Sequence, residues 1–474
     1  ITLTHPAGVR LAVWSQDERR VLTASSDGTA RIWDTETRAE LVTLVGHSGV
    51  VEQATWSHDN SRVLTASYDG TARIWDAQTG EELVTLTGHT ARIWQVTWSQ
   101  DERRVLTASG DGTARIWNAQ TGAELVTLIG HPARVWQASW SQDERRVLTA
   151  GQDDTARIWD AQTGAELITL AGHHFRWVRQ ATWSHDNSRV LTASDDGTAR
   201  IWDAQTGAEL VTLTHPAEVW QATWSHDDSR VLTASWDDSI TRIWDAQTGK
   251  ELVTLTGHTD WVRQAIWSHD DSRVLTASQD GTARIWDTQT GAELVTLTHP
   301  AEVWQATWSQ DERRVLTASG DDTVRIWDAA IGVELVSLTH PAGFGQASWS
   351  QDERRVLTAS NDGTGRIWVV DARLLKETTC QQTARNMTWN EWRLNMEGPY
   401  RLTCPNAPIP QDAIEGIVDN EVKPLAQQGQ FETATARLGE LMGWLEENHQ
   451  YNTFGPSLEE KLASLQAGEN PWEE

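Results

Sequence analysis

One feature limits the fold of this chain more than any other. A block of about 42 residues recurs nine times, marked by Trp33, Trp75, Trp117, Trp159, Trp202, Trp244, Trp286, Trp327 and Trp368. An earlier series, from Trp14 and Trp56 to Trp349, keeps step with it. Together they account for 18 of the 29 tryptophans, and a residue fixed by the repeat is first of all a packing residue. A chain of 474 residues exceeds the usual size of one hydrophobic core, so a repeat array is the natural solution.

Within one copy, VEQATWS (51–57) and RVLTAS (62–67) read as strands around the polar turn HDNS. TARIWD (71–76) follows the Asp69-Gly70 turn, and ELVTLT (82–87) follows Gln78-Thr79-Gly80. No connection has room for a crossover helix, which favours radial antiparallel sheets over βαβ units. The period, with its GH and WD words, resembles the WD40 family, whose members are β-propellers. The resemblance covers residues 1 to 370 and implies an all-β propeller with nine four-stranded WD40 blades, followed by a small, mainly α-helical C-terminal region.

The family pattern also implies a hydrogen-bonded set of His, Asp, Ser or Thr, and Trp in each copy; the second copy supplies His47, Asp69, Ser67 and Trp75. Copy four has Gly151 in place of the serine, and local softening is expected there. The nine repeat histidines each have a structural aspartate to bond, so they are assigned to the framework and not to a metal.

Nine copies leave closure open. Seven blades are usual in the family, and seven plus an incomplete second ring would leave faces and edges without neighbours; one nine-bladed ring leaves none, and it is favoured. Two segments compete for the last strand beside RIWVV (366–370): ITLTH (1–5), which matches the ends of LVTLTH elsewhere, and ARLLKETTC (372–380). The family habit of joining its ends favours the first.

After Trp368 the composition changes. Residues 371–410 read as a short helix, WNEWRLN (389–395), and the extended CPNAPIP (404–410); residues 411–474 read as acidic helices, 411–428 and 430–448, with a third starting at Ser457. Phe431, Ala434, Leu438, Leu441, Met442 and Leu445 form an apolar stripe on the second. The run ARNMTWNEW…GPYRLTCPNAPIP resembles the segment after the WD40 repeats of large bacterial signalling ATPases of the STAND class, and AQQGQFETATARLGEL resembles a degenerate tetratricopeptide hairpin. That resemblance implies a cytoplasmic sensor module whose nucleotide-binding domain lies upstream in a longer protein. The chain has no GxxxxGK[ST] motif of its own. Cys380 and Cys404 read as two reduced thiols, with a redox pair as the alternative.

A net charge of −28 disfavours broad binding to nucleic acid or anionic membrane, and no apolar run is long enough to cross a bilayer. Differences between copies carry the remaining signal. Four residues before the first Trp of each copy stand Trp94, Trp136, Arg179, Trp220, Arg263 and Trp304, among others; two residues earlier stand Arg92, Arg134, Trp177 and Trp261. A third variable series, just before the turn Asp, includes Trp236. Copy five inserts a residue in GHHFRW (172–177), adding Arg176 to this set, and WDDSIT (236–241) lengthens the turn of copy six.

An invariant frame with variable loop entries suits a noncatalytic platform that binds protein or peptide through aromatic and charged contacts. The alternative is a structural or oligomerising module in which the same residues fill the ring centre. No cofactor or catalytic constellation is expected, and an enzyme pocket at the centre is the least favoured reading.

Overall fold

In the computed structural model the described residues are 1–174, 177–236, 239–370, 414, 417–428, 430–447, 458, 461–467 and 471. The chain divides into two units, Ile1–Trp368 and Val369–Glu474.

Among the described residues each of the first eight copies forms a four-stranded antiparallel sheet in sequence order, and the ninth copy supplies three strands of a ninth sheet. In the second, Val51–Trp56 pairs with Arg62–Ser67, then Ala72–Asp76, then Glu82–Leu86. The sequence dictates the turns. Asp59 Oδ1 accepts from the Ser57 hydroxyl at 2.7 Å and from the Ser61 N–H at 2.9 Å, an Asx-type turn that leaves Asn60 at φ 58°. Asp76 Oδ1 accepts from the Gln78 and Thr79 N–H groups at 2.9 and 2.7 Å. At Gly70, φ is 80°, and a Cβ would stand 3.2 Å from both the His89 and Ala91 carbonyl oxygens; both backbone angle and space call for glycine.

The cores lie between neighbouring sheets. Leu22, Ala24, Ile32 and Leu44 of the first blade pack with Val51, Ala54, Val63 and Trp75 of the second. The ninth sheet is completed by Thr2–Thr4, with Leu3 opposite Gly365. Leu3, Leu357 and Ile367 then share a core with Val9, Val21 and Trp33 of the first blade, so the nine blades close into one ring. The N-terminal strand takes the closing place; 372–380 lies outside the described residues.

Every blade interface carries the same clamp. Arg62 lies 4.8 Å over the ring of Trp98 and pairs with Glu102 at 3.0 Å, and Arg104 does the same with Trp140 and Glu144 at 4.7 and 2.9 Å. Where the partner is Asn or Asp, the arginine bonds its carbonyl instead, as Arg189 does with Asp228 at 2.7 Å. These partners sit at positive φ, 54° at Glu102 and 55° at Asp228, a strained turn position that aims them at the preceding blade. The first tryptophan series therefore has a role beyond packing: it receives the neighbour's cation.

In the C-terminal unit a π-type turn, Val418–Val422, leads into Lys423–Gln427, and a longer helix spans Phe431–Glu447. Ala434, Leu438 and Leu441 of the expected stripe are buried against Ile417, Val422, Leu458 and Leu465, with Met442 packed beside them. Arg437 pairs with Glu421 at 2.6 Å. The side chains of Phe431 and Leu445 lie outside the described residues, as do 389–395, 404–410, Cys380 and Cys404. Among the described residues no helix is long and apolar enough to cross a membrane.

Candidate recognition face

The polar set in each blade centres on a residue that the sequence pattern assigned wrongly. In the second blade the Trp75 indole N–H donates to Thr65 Oγ1 at 2.8 Å, and Thr65 Oγ1 lies 2.8 Å from His47 Nε2. His47 Nδ1 meets Asp69 Oδ2 at 3.0 Å. Thr65 is thus the linking hydroxyl, and Ser67 has a separate role: its Oγ accepts the Asp69 N–H at 3.1 Å. Burial lowers the pKa of His47 against the pull of Asp69. Burial alone would raise Asp69, but hydrogen bonds from Thr71 and the Ser48 N–H, with His47 beside it, leave it below the ordinary range.

At copy four the network is complete without the serine. Thr149 keeps the link, 2.8 Å from both His131 Nε2 and Trp159 Nε1. With no serine at Gly151, Asp153 places both carboxylate oxygens on His131 Nδ1, at 2.8 and 2.9 Å. A Cβ at Gly151 would stand 2.7 Å from Asp153 Oδ1, so the carboxylate has taken the serine's space.

The three variable series meet on one face. Residues of the third series donate a backbone N–H to carbonyls of the second: Tyr68 to Val50 at 2.9 Å, Gly110 to Arg92 at 2.9 Å, and Trp236 to Glu218 at 2.9 Å. The remaining series consists of bulge residues. Pairing of the first and second strands shifts between Ile93 and Gln95, between Val135 and Gln137, and between Val303 and Gln305. Trp94, Trp136 and Trp304 are the extra residues in those bulges, and a bulge re-aims its unpaired residue. Trp136, Arg179, Trp220, Arg263 and Trp304 accordingly line a central cavity of about 610 Å³.

These side chains contact one another and the neighbouring blades. The Trp136 indole donates to the Val178 carbonyl at 2.9 Å, and the Trp220 indole donates to the Arg263 carbonyl at 3.0 Å. Trp136 meets Trp177 edge-on at 5.3 Å; Trp236 meets Trp220 at 5.5 Å and Trp261 at 4.9 Å. Arg179 lies 4.7 Å over Trp177 and holds Asp195 through two bonds of 2.7 and 2.8 Å. Trp177 and Trp220 remain 38% exposed, while Trp94, Trp236, Trp261 and Trp304 are half-buried and Arg134 is exposed. Arg176 lies outside the described residues.

A second contact set was hidden in the framework word QATW. Gln137 Oε1 accepts the Ala181 N–H at 3.0 Å, Gln180 Oε1 that of Ala222 at 3.0 Å, and Gln221 Oε1 that of Ala265 at 2.9 Å. Such staples run from Gln53 round to Gln305. They fail beside the first blade, where Leu11 replaces glutamine and Gln346 Oε1 has no partner. The only sequence signal for them was a glutamine recurring at every copy but one.

The WD40 model, described as WD domain, G-beta repeat, matches 1–34, 38–76, 80–118, 122–160, 164–203, 207–245, 249–287, 291–328 and 333–369. The chain belongs to the WD40 repeat family. WD40 propellers typically serve as protein-interaction scaffolds and are generally noncatalytic. No curated protein matches the chain. Among solved structures, the computationally designed Ika8 protein is similar in fold, with a TM-score of 0.54 and 23% identity over 77% of this chain and 97% of that one. Among the described residues no group of three or more His, Cys, Asp or Glu side chains is placed to hold a metal ion.

Proposed function

We propose that this WD40 propeller is a noncatalytic recognition platform for protein or peptide, reading its partner on the face where the three variable series converge. The observation that carries this reading is the bulge in each first strand: the frame is constant, and the one residue that the bulge frees from pairing is the one that changes from copy to copy. Large, partly exposed aromatics around a concave centre supply contact area at low conformational cost.

The wider setting is a bacterial, cytoplasmic sensor module of a signalling or defence ATPase of the STAND class, with the nucleotide-binding domain in another part of the native protein. The C-terminal motifs support this setting. The structural-module alternative draws on Trp136 and Trp220, whose indoles bond the next blade.

The test uses Trp94 and Trp304, for which no such bond exists among the described residues. Trp94→Ala/Trp304→Ala protein with an unchanged melting profile is expected to lose partners captured by the native chain from its source cells. Retention of the same partners at the same yield rejects the face.

A further inference from the structure

The face is uneven in bulk and in charge. Tryptophans crowd blades three to eight, whereas blades nine and one offer Gly343 and Gly8 at the equivalent entry. Of the cations, Arg179 is held by Asp195 and Arg263 faces Glu302 at 3.5 Å. Asp260 accepts the Trp261 N–H at 2.8 Å. Arg92 and Arg134, on neighbouring blades, form no ion pair among the described residues. Arg92 lies 4.5 Å over Trp94 and 5.1 Å from the centre of the Tyr68 ring, and it hydrogen-bonds the Tyr68 hydroxyl, which Glu52 also engages. A guanidinium stacked on a ring keeps its N–H edge for a planar acceptor such as a carboxylate. In a chain of net charge −28, two adjacent arginines without an ion pair among the described residues are a local exception to the surrounding field.

The channel beneath has matching polarity. Because Gln137, Gln180 and Gln221 spend their Oε1 atoms on backbone N–H groups, each carboxamide is fixed with its NH₂ end away from the staple. These glutamines, with Gln264 and Gln305, line the 610 Å³ cavity, and among the described residues no protein acceptor takes their amide protons. Apart from Gln346, which also lines the cavity and whose Oε1 has no partner among the described residues, the free amide groups of the lining are hydrogen-bond donors, which an occupant's acceptors would satisfy.

Resting on the recognition reading above, we infer that the occupant is an acidic peptide segment, with its carboxylates on Arg92 and Arg134 and its main-chain carbonyls on the channel glutamines. Cation, aromatic face and oriented amides together select an extended chain carrying negative side chains and one or two apolar residues for the tryptophans.

The experiment measures fluorescence anisotropy of a labelled peptide of about 12 residues alternating Glu, Gly and Leu, against the full chain, beside its Glu→Gln and Glu→Lys counterparts. The acidic peptide is expected to bind at least about tenfold more tightly than the Gln peptide and to weaken with added salt. The Arg92→Gln/Arg134→Gln variant is expected to abolish that preference while melting like the native chain. Equal or tighter binding of the Gln or Lys peptide, no binding of any of the three, a preference that survives in the double variant, or tighter binding of a single-stranded oligonucleotide overturns the inference. If partner capture still depends on Trp94 and Trp304, the recognition reading stands when this one falls; if capture is indifferent to them, the recognition reading itself fails.

Discussion

Arg355 of the ninth blade stacks 4.8 Å over Trp14 of the first and pairs with Glu18 at 2.9 Å, so the clamp crosses the joint between chain ends unchanged. The glutamine staples do not cross it. The first blade therefore shares core packing and the clamp with its neighbours but no glutamine staple, and the clamp there should matter more than elsewhere. Arg355→Ala is expected to lower stability by about 1–2 kcal/mol, from the lost cation–π contact and ion pair. Arg230→Ala, at an interface with its staple intact, should cost less. Parallel thermal melts check this; equal costs would remove any special status from the joint.

Leu11→Gln should restore the missing staple between the first and second blades. The gain expected from one added hydrogen bond is about 0.5–1.5 kcal/mol, seen as a higher melting temperature. Gln221→Leu is the reciprocal change and should destabilise by about 1–3 kcal/mol, because it leaves the Ala265 N–H without its acceptor.

Thr65→Val removes a buried hydroxyl that serves both Trp75 and His47. A cost of about 2–3 kcal/mol is expected. Ser67→Ala, which removes the acceptor of one turn N–H, should cost about 1 kcal/mol or less. Denaturant titration of the two variants ranks them, and a larger cost at Ser67 would return the centre of the network to the serine.

Acid should loosen the ring in two stages. His5, His47 and His340 have lowered pKa values in the folded chain, chiefly through burial, and His299 is lowered to about 4 by burial and Arg325. A histidine that titrates lower when folded takes up its proton first in the unfolded state. Its stabilisation is complete above the ordinary value of about 6.5 and declines as pH falls toward the folded value. His299 alone accounts for a loss on the order of 2–3 kcal/mol between those limits. Carboxylates follow: Asp69, Asp321 and Asp362 are held below 3.8, so their contribution disappears as pH falls below that value. Melting temperatures between pH 8 and 3 should drop first below about pH 6.5 and again below about pH 4. In His299→Asn protein the first drop should shrink.

Strand order, turn positions and the closing role of ITLTH were legible because each rests on local chemistry: Asx turns, a Gly-required φ, and a strand whose sequence repeats the one that it replaces. The linking hydroxyl was misread. Thr65 and Ser67 stand two residues apart in VLTAS and share one face of the strand, so only their position along it puts Thr65 beside Trp75 and Ser67 beside the Asp69 turn. Gly151 was opaque for a related reason, since a missing side chain says nothing of the carboxylate that moves into its place.

On the candidate face, the three series were found by variation, and their convergence followed from topology. The contacts of Trp136 and Trp220 with the next blade were not legible, because they depend on a bulge that no residue type announces. The staples and clamps escaped for a different cause. They join residues about 40 positions apart, and in a perfect repeat every such pairing looks the same on the page.

The closing strand also has a history in time. Among the described residues Thr2–Thr4 pairs only with Thr364–Arg366, so throughout synthesis it waits while eight other blades can assemble. Once the ninth blade is made, two raw edges exist until they meet: the free strand and the three-stranded ninth blade. At high concentration another copy can satisfy either edge, so exchange of ends between molecules competes with closure of the ring.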